Sequence, residues 1–348
     1  MVKVLAIGGS GGMGRFAVRE MLSYERIGSV VVADINAQSA ASFASDCGEK
    51  VSSLGLDVTD PVALRKALKG IDVVVNTSGP FFKFAVPILE ACIEIKCHYF
   101  DICDDWEPTE EMLKLDQRAV AAGITAIIGL GASPGITNLL GLFAMKELDD
   151  VESIYTGWHM GGAKPEAESS QTKINAAMMH GVQQMTGSVK VFSKGQEEIV
   201  TPLRRLKLEY PGRGVFDVRI FGHPEAITFP HHYPAIKDSL NVCHGDQSGL
   251  FLIRTIMTLV NWGIVTNSRA AVWLHWLESR PQTEESVLEE ISLPPIYAVA
   301  VGAKDGRRGS VGVSFLADTE NILADLGMGM ATGIPLAIGV GMLTEGKI

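Results

Sequence analysis

VKVLAIGGSGGMG, Val2 to Gly14, opens with the run Val2–Ile7, apolar but for Lys3, and ends in a cluster of glycines. A continuous apolar run bounded by glycine reads as a strand buried on both faces, which is the environment of a parallel sheet. From Gly12 to Tyr24 the apolar residues Met13, Phe16, Ala17 and Met21 fall at helical spacing. Gly9-Ser10-Gly11-Gly12-Met13-Gly14 is therefore a GxGxxG loop between a buried strand and the helix that it opens. In that context glycine serves three purposes. Gly9 allows a tight turn, Gly11 lets a pyrophosphate approach the backbone, and Gly14 lets helix and strand pack closely. The phosphates then rest on the unpaired N–H groups and positive end of the helix.

Outward from this loop the same beat continues. Strands are expected at Val30–Ala33, Val51–Leu56, Ile71–Asn76, His98–Asp101 and Ile124–Ile128. Between them fall helices at Ala37–Asp46, Pro61–Leu68, Phe84–Cys92 and Thr109–Ala122. Alternating strands and helices specify a doubly wound, parallel Rossmann sheet. Asp34 ends the second strand 20 residues after Gly14, where its carboxylate can hold ribose hydroxyls. A 2′-phosphate would be repelled there, and Ile35-Asn36-Ala37-Gln38-Ser39 offers no cation, so NAD is expected rather than NADP. Asp57 and Val58 would flank the adenine, or Asp57 would simply cap the next helix. Thr77, Ser78, Gly79 and Pro80 follow the fourth strand, and their small size leaves room for the nicotinamide ribose.

Past residue 130 the beat changes. Strands are expected at Val151–His159, Asp217–Phe221 and Ala226–Phe229, with a hairpin turning at Lys194-Gly195 and another at Asp305-Gly306. Helical patterns cover Ser170–Met185, Ser248–Ile264, Arg269–Glu278 and Glu320–Glu345. The expected organisation is α/β: a dinucleotide-binding Rossmann domain at 1–130, completed by 320–348, and a second α+β domain at 131–319 with a mixed or antiparallel sheet.

The chain has 348 residues with 30 basic against 40 acidic side chains, a net charge of −10 that argues against nucleic-acid binding. Cys47, Cys92, Cys97, Cys103 and Cys243 form no CxxC pair, and no HExxH is present, so no metal site is expected. Reduced, mostly buried thiols fit a cytoplasmic protein. Ala119–Met145 and Leu326–Thr344 are long enough to span a bilayer, but both are interrupted by glycines and a proline. Such interruptions suit packed elements better than a lipid-facing span, and no membrane partner is expected.

Several further motifs occur in a fixed order: NTSGPF, HYFDICDD, GASPGITNLL, FGHPE followed by ITFP, and TGIPLAIGVGMLTEGKI. Together with the glycine loop they resemble the saccharopine dehydrogenase-like oxidoreductases, a family that includes lysine 6-dehydrogenases and saccharopine reductases. The resemblance implies NAD(P)-dependent hydride transfer at an amine-bearing carbon of an amino acid or amino-acid conjugate. It also implies a homodimer and a C-terminal helix packed on the nucleotide domain. One departure bears on substrate: where relatives often carry an arginine after ITFP, His231-His232-Tyr233-Pro234 stands here. A histidine cannot grip a carboxylate bidentately as an arginine can.

Asp101, at the end of the fifth strand, is the candidate to hold a substrate ammonium or take its proton. Asp104 and Asp105 either contact substrate or cap the helix that follows. Ser133 and Asn138 belong to a loop that opens another helix and offers N–H groups to a carboxylate or the nicotinamide amide, or else only connects domains. His223 is the candidate proton acceptor, with Glu225 two residues on, sharing its face if the segment is a strand. Arg204, Arg205 and Lys207 meet a substrate carboxylate or form a solvated face, and Trp262, Trp273 and Trp276 read as core or subunit interface. Two other functions stay open: a Rossmann dehydrogenase for a different small or lipid-linked substrate, and a non-catalytic NAD-binding protein.

Overall fold

A computed structural model describes residues 1–162, 176–278, 292–315 and 327–348. The chain divides into two compact units, Met1–Ile136 with Met328–Ile348, and Thr137–Gly327. The expected 320–326 and 170–175 portions of two helices lie outside the described residues.

In the first unit the order is β1 (Val2–Ile7), α1 (Gly14–Met21), β2 (Ile27–Asp34), α2 (Ala37–Cys47), β3 (Val51–Gly55) and α3 (Pro61–Leu68). It continues with β4 (Val73–Asn76), α4 (Phe81–Ile95), β5 (His98–Asp101), α5 (Trp106–Leu113), α6 (Asp116–Ala122) and β6 (Ala126–Ile127). The strands pair in parallel in the order β3-β2-β1-β4-β5-β6, the Rossmann arrangement. Val4, Leu5, Val73, Val74 and Val75 of the two central strands are at most 1% exposed, as a sheet covered on both faces requires. Local chemistry starts the helices. Asn36 accepts from Ser39 N to cap α2, and Asp60, followed by Pro61, accepts from Val62 N and Ala63 N to cap α3. The single helix expected at Thr109–Ala122 is instead two, because the chain breaks at Lys114-Leu115 and the buried Leu115 opens α6.

The last helix, α12 (Gly327–Thr344), packs in this unit because glycines let backbones meet. A Cβ at Gly333 would strike the Met13 carbonyl and lie 2.9 Å from Ala17 N; one at Gly339 would strike Leu130, and one at Gly341 would strike Tyr24. Arg26 Nη1 donates to the Thr344 carbonyl at 2.9 Å, tying down its end. By length and composition this helix could cross a membrane, and 44% of it is buried. The other long uncharged stretch is no single span, since it divides into α6, β6, a loop and α7 (Ile136–Lys146).

The second unit is built on β7 (Asp150–His159), α8 (Ala176–Gln184), β8 (Val189–Ser193), β9 (Gln196–Val200), β10 (Arg205–Tyr210), β11 (Gly214–Phe221) and α9 (Glu225–His232). After these come β12 (Asp238–His244), α10 (Gln247–Asn261), α11 (Asn267–Glu278), β13 (Ile296–Lys304) and β14 (Arg307–Ser314). Its sheet runs β10-β11-β12-β7-β13-β14, with β8 and β9 attached at β12. Among the described residues of this sheet only β12 and β7 pair in parallel; the other pairs are antiparallel, which makes the sheet mixed.

Three expectations fail in this unit. Ala226–Phe229 is not a strand but the core of α9, where Pro224 fixes the turn that starts the helix and Ala226, Ile227 and Phe229 are buried. His223 and Glu225 therefore do not share a strand face. The core reading of the tryptophans also fails, since Trp262, Trp273 and Trp276 are 72%, 42% and 55% exposed. Strands β10 and β12 carry no sequence expectation, although Arg205–Tyr210 does alternate polar and apolar residues; Asp238–His244 does not, because both of its faces are buried and Ser239 and Asn241 are polar.

Candidate functional site

The glycine loop meets the geometric demands of a dinucleotide. Gly8, just before the motif, takes φ +73° and makes the turn assigned above to Gly9. A Cβ on Gly9 would lie 2.9 Å from Ala6, and one on Gly14 would strike the Gly8 carbonyl and lie 2.7 Å from Thr77 Oγ1. These two positions are closed by packing. At Gly12 a Cβ would meet nothing within 4 Å, and at Gly11 only the Gly8 carbonyl, at 3.1 Å. That side of the loop is open. The N–H groups of Gly12, Met13 and Gly14 find no acceptor among the described residues, so they remain available to an anion. Arg15, which follows the last glycine, folds back so that its guanidinium donates to Ser10 O at 3.1 Å and Gly11 O at 3.3 Å.

Asp34 stands at the tip of β2 beside this loop. Its Oδ2 accepts from Ser10 Oγ at 2.6 Å and its Oδ1 from Asn36 N at 3.0 Å, while Ser39 Oγ lies 3.2 Å from Ser10 Oγ. The carboxylate is thereby oriented but still partly exposed. Asp57 accepts from Thr59 N and Oγ1 at 2.9 and 2.6 Å, which holds its carboxyl below the usual range. Capping of α3 falls to Asp60 instead, so Asp57 does not cap that helix. Val58 is packed against the first unit's core.

At the carboxyl ends of β4 and β5 a buried relay joins several side chains. Asn76 Nδ2 donates to Tyr99 OH at 3.2 Å, and Tyr99 OH donates to Asp101 Oδ2 at 2.7 Å. Ser78 donates through both N and Oγ to Asn76 Oδ1, at 3.0 and 2.6 Å. Thr77 Oγ1 donates to the Ile7 carbonyl, and both Gly79-Pro80 and Ser133-Pro134 are cis. Asp101 was expected to face the crevice, and this is corrected: it is 0% exposed. Its Oδ1 accepts from Cys103 N at 3.0 Å and Gly129 N at 2.7 Å. Burial raises its carboxyl from 3.8 to about 6, against the lowering effect of these hydrogen bonds. Asp101 thus ties the end of β5 to the segment that follows β6. Asp105 occupies the N-cap of α5 without a side-chain cap bond, so the capping alternative fails for it. The loop carrying Ser133 closes on itself through Gly131 N to Pro134 O and Ile136 N to Gly131 O. Its far end is also the boundary between the units.

The second unit carries a polar network of its own. Glu225, 0% exposed, accepts from Thr137 Oγ1 at 2.6 Å and Asn241 Nδ2 at 3.0 Å through one carboxylate oxygen. Asn241 Nδ2 also donates to Thr156 Oγ1 at 2.9 Å, and its Oδ1 accepts from Trp158 Nε1 at 3.2 Å. His223 stacks on that indole with centroids 5.6 Å apart and planes inclined by 11°, and meets Phe221 edge-on. Asn138 Nδ2 donates to Thr228 Oγ1 at 3.3 Å. Sequence reasoning named His223, Glu225 and Asn138 but missed Thr137, Thr156, Trp158 and Asn241. Asn241 lies on the unrecognised β12, which is buried on both faces, so no polar/apolar alternation marked it. Replacing Asn241 by Ala should cost about 1–3 kcal/mol, since it strips donors and an acceptor from buried groups. Urea denaturation of the two proteins measures it.

Residues 4–127 match the family model described as the saccharopine dehydrogenase NADP binding domain. That model spans about a third of the chain, the part that carries the glycine loop and the parallel sheet. Over its whole length it is 23% identical to carboxyaminopropylagmatine dehydrogenase of Synechocystis sp., covering 90% of that protein. It is 24% identical to carboxynorspermidine synthase of Vibrio alginolyticus, over 84% of this chain and 73% of the relative. Among solved structures, apo saccharopine dehydrogenase (L-Glu forming) from Saccharomyces cerevisiae matches 100% of this chain and 92% of its own, with a TM-score of 0.56 at 17% identity. That likeness shows a shared fold. The chain is an oxidoreductase with an NAD(P)-binding Rossmann domain.

Proposed function

We propose that this oxidoreductase transfers a hydride at a secondary-amine carbon of an amino-acid conjugate, using NAD in preference to NADP. The observation that carries the reaction class is the whole-length similarity to a relative named for a carboxyaminopropyl amine. When bound, the nicotinamide supplies the hydride acceptor. Gly11 and Gly12 give the pyrophosphate its open face, and the amides of Gly12, Met13 and Gly14 hold it. In oxidation the substrate carbon loses hydride and its nitrogen a proton, leaving a C=N bond. Water then adds to that carbon, and the C–N bond breaks to give a carbonyl compound and an amine. His223, braced on Trp158 and Phe221, takes the amine proton. Purified protein supplied with NADH or NADPH, an amine and a keto acid should change nicotinamide absorbance. Cofactor binding without turnover of any amine would overturn the reading.

Cofactor preference rests on Asp34, whose carboxylate is set in place by Ser10 and the Asn36 amide. The matched domain is described as NADP binding, and against this stands a fixed negative charge where a 2′-phosphate would lie. Asp34→Ala should weaken NADH binding by about 1–3 kcal/mol, the scale of hydrogen bonds to a charged group. It should also narrow the gap between the two cofactors. Equal NADH and NADPH affinity in the unaltered protein, by fluorescence titration, would remove the preference.

A further inference from the structure

Arg219 lies in β11, 7% exposed, and no carboxylate among the described residues lies within ion-pair range of it. Its Nε is buried with no hydrogen-bond acceptor, and its one polar contact is from Nη2 to Gln247 Oε1 at 3.4 Å. An ionised group buried without a partner is costly, so a guanidinium kept in this state points to an anion that is supplied from elsewhere. The surroundings agree in sign. Arg205 is Arg219's partner across the antiparallel pair, and two turns along α10 from Gln247 stands Arg254, which is exposed. The nearest acid on the same strand face, Asp217, is already taken by Arg205 and lies 3.9 Å from Lys207. Burial, Arg254 and Arg205 depress the Arg219 guanidinium, in that order of weight, and outweigh the opposing pull of Cys243 and Asp217.

We propose that Arg219, Gln247 and Arg254 form an oxyanion subsite of the second unit that takes a carboxylate. A planar guanidinium whose Nε is unpaired suits a carboxylate's two oxygens, and the Gln247 amide fixes its plane. Through the register Arg219↔Cys243↔Trp158 the subsite shares a sheet face with Trp158, the indole on which His223 stacks. That the carboxylate is the substrate's own rests on the function proposed above. The subsite would then do the work of the arginine that relatives often carry after ITFP, where this chain has His231.

Thermal denaturation and calorimetric titration of the full chain with succinate, and separately with inorganic phosphate, test the subsite without any turnover. Succinate should raise Tm in the unaltered protein and phosphate should raise it less. Arg219→Gln should raise the succinate Kd about ten- to a hundredfold, the scale of charged hydrogen bonds. Its ligand-free Tm should hold or rise, because an uncompensated buried charge is gone. A purely structural arginine would give the reverse, a lower Tm with the succinate response intact. Arg254→Gln, altered at an exposed position, should weaken succinate in the same direction. An unaltered protein that ignores both anions, or one that prefers phosphate, overturns the assignment. A succinate response in a protein that turns over no amine would keep the subsite and discard the substrate reading.

Discussion

Gly14→Val should abolish tight dinucleotide binding and destabilise the first unit. The added Cβ would strike the Gly8 carbonyl and lie 2.8 Å from Gly9 Cα, and both are backbone atoms that no rotamer change can move aside. Overpacking of this kind typically costs about 1–3 kcal/mol, and here the displaced atoms belong to the phosphate loop. Losing the alignment of its amides removes hydrogen bonds to a charged group, so the NADH Kd should rise at least about a hundredfold. Gly12→Ala is the matched control. Its Cβ enters open space, so folding stability should stay as it was while cofactor affinity falls. Fluorescence titration and urea denaturation of both variants separate the effects. A Gly14→Val protein with an unchanged Kd would remove the loop from the cofactor site.

Asp101→Asn should change the pH dependence of stability. The folded carboxyl sits at about 6 against an ordinary 3.8, so the folded state binds the proton more tightly than the unfolded chain. This group's favourable contribution is therefore complete below the ordinary value and is lost as pH rises through 6. The full swing is about 3 kcal/mol at 1.36 kcal/mol per pKa unit. Asparagine keeps the shape, accepts from Gly129 N and Cys103 N through its oxygen, and does not titrate. The stability of Asp101→Asn relative to the parent should thus climb by most of that amount between pH 4 and pH 7, which urea denaturation at a series of pH values would show. A flat difference, or one that falls with pH, would mean that Asp101 ionises freely in the folded protein.

The two ends of this protein were unequally legible. In the first unit each strand is a run of Val, Ile or Leu between turn residues, and each helix has a local cap such as Asn36 or Asp60-Pro61. Fold and dinucleotide loop could be read there because the signals are local in sequence. In the second unit the sheet mixes parallel and antiparallel pairs, and β12 buries Ser239 and Asn241 where an apolar pattern would have announced a strand. The burial of those side chains is made tolerable by Glu225, Thr156 and Trp158, partners 14 to 85 residues away along the chain. His223-Pro224-Glu225 was misread for a related reason, since a short apolar run fits strand or helix until its packing is known.

Residue type and spacing alone determined the α/β class, the Rossmann half, the glycine loop between β1 and α1, and the position of Asp34 at the end of β2. Each of these depends on backbone conformation or on a short span of chain. Tertiary structure alone decided that Gly8 makes the turn, that Gly333 of α12 packs against Met13 and Ala17, and that Asp101 is buried between strand ends. It also decided that Arg219 is buried with its Nε unpaired and no carboxylate among the described residues in ion-pair range. A sequence shows which groups can be charged, but desolvation and pairing depend on neighbours distant along the chain, and these exist only once the chain has folded.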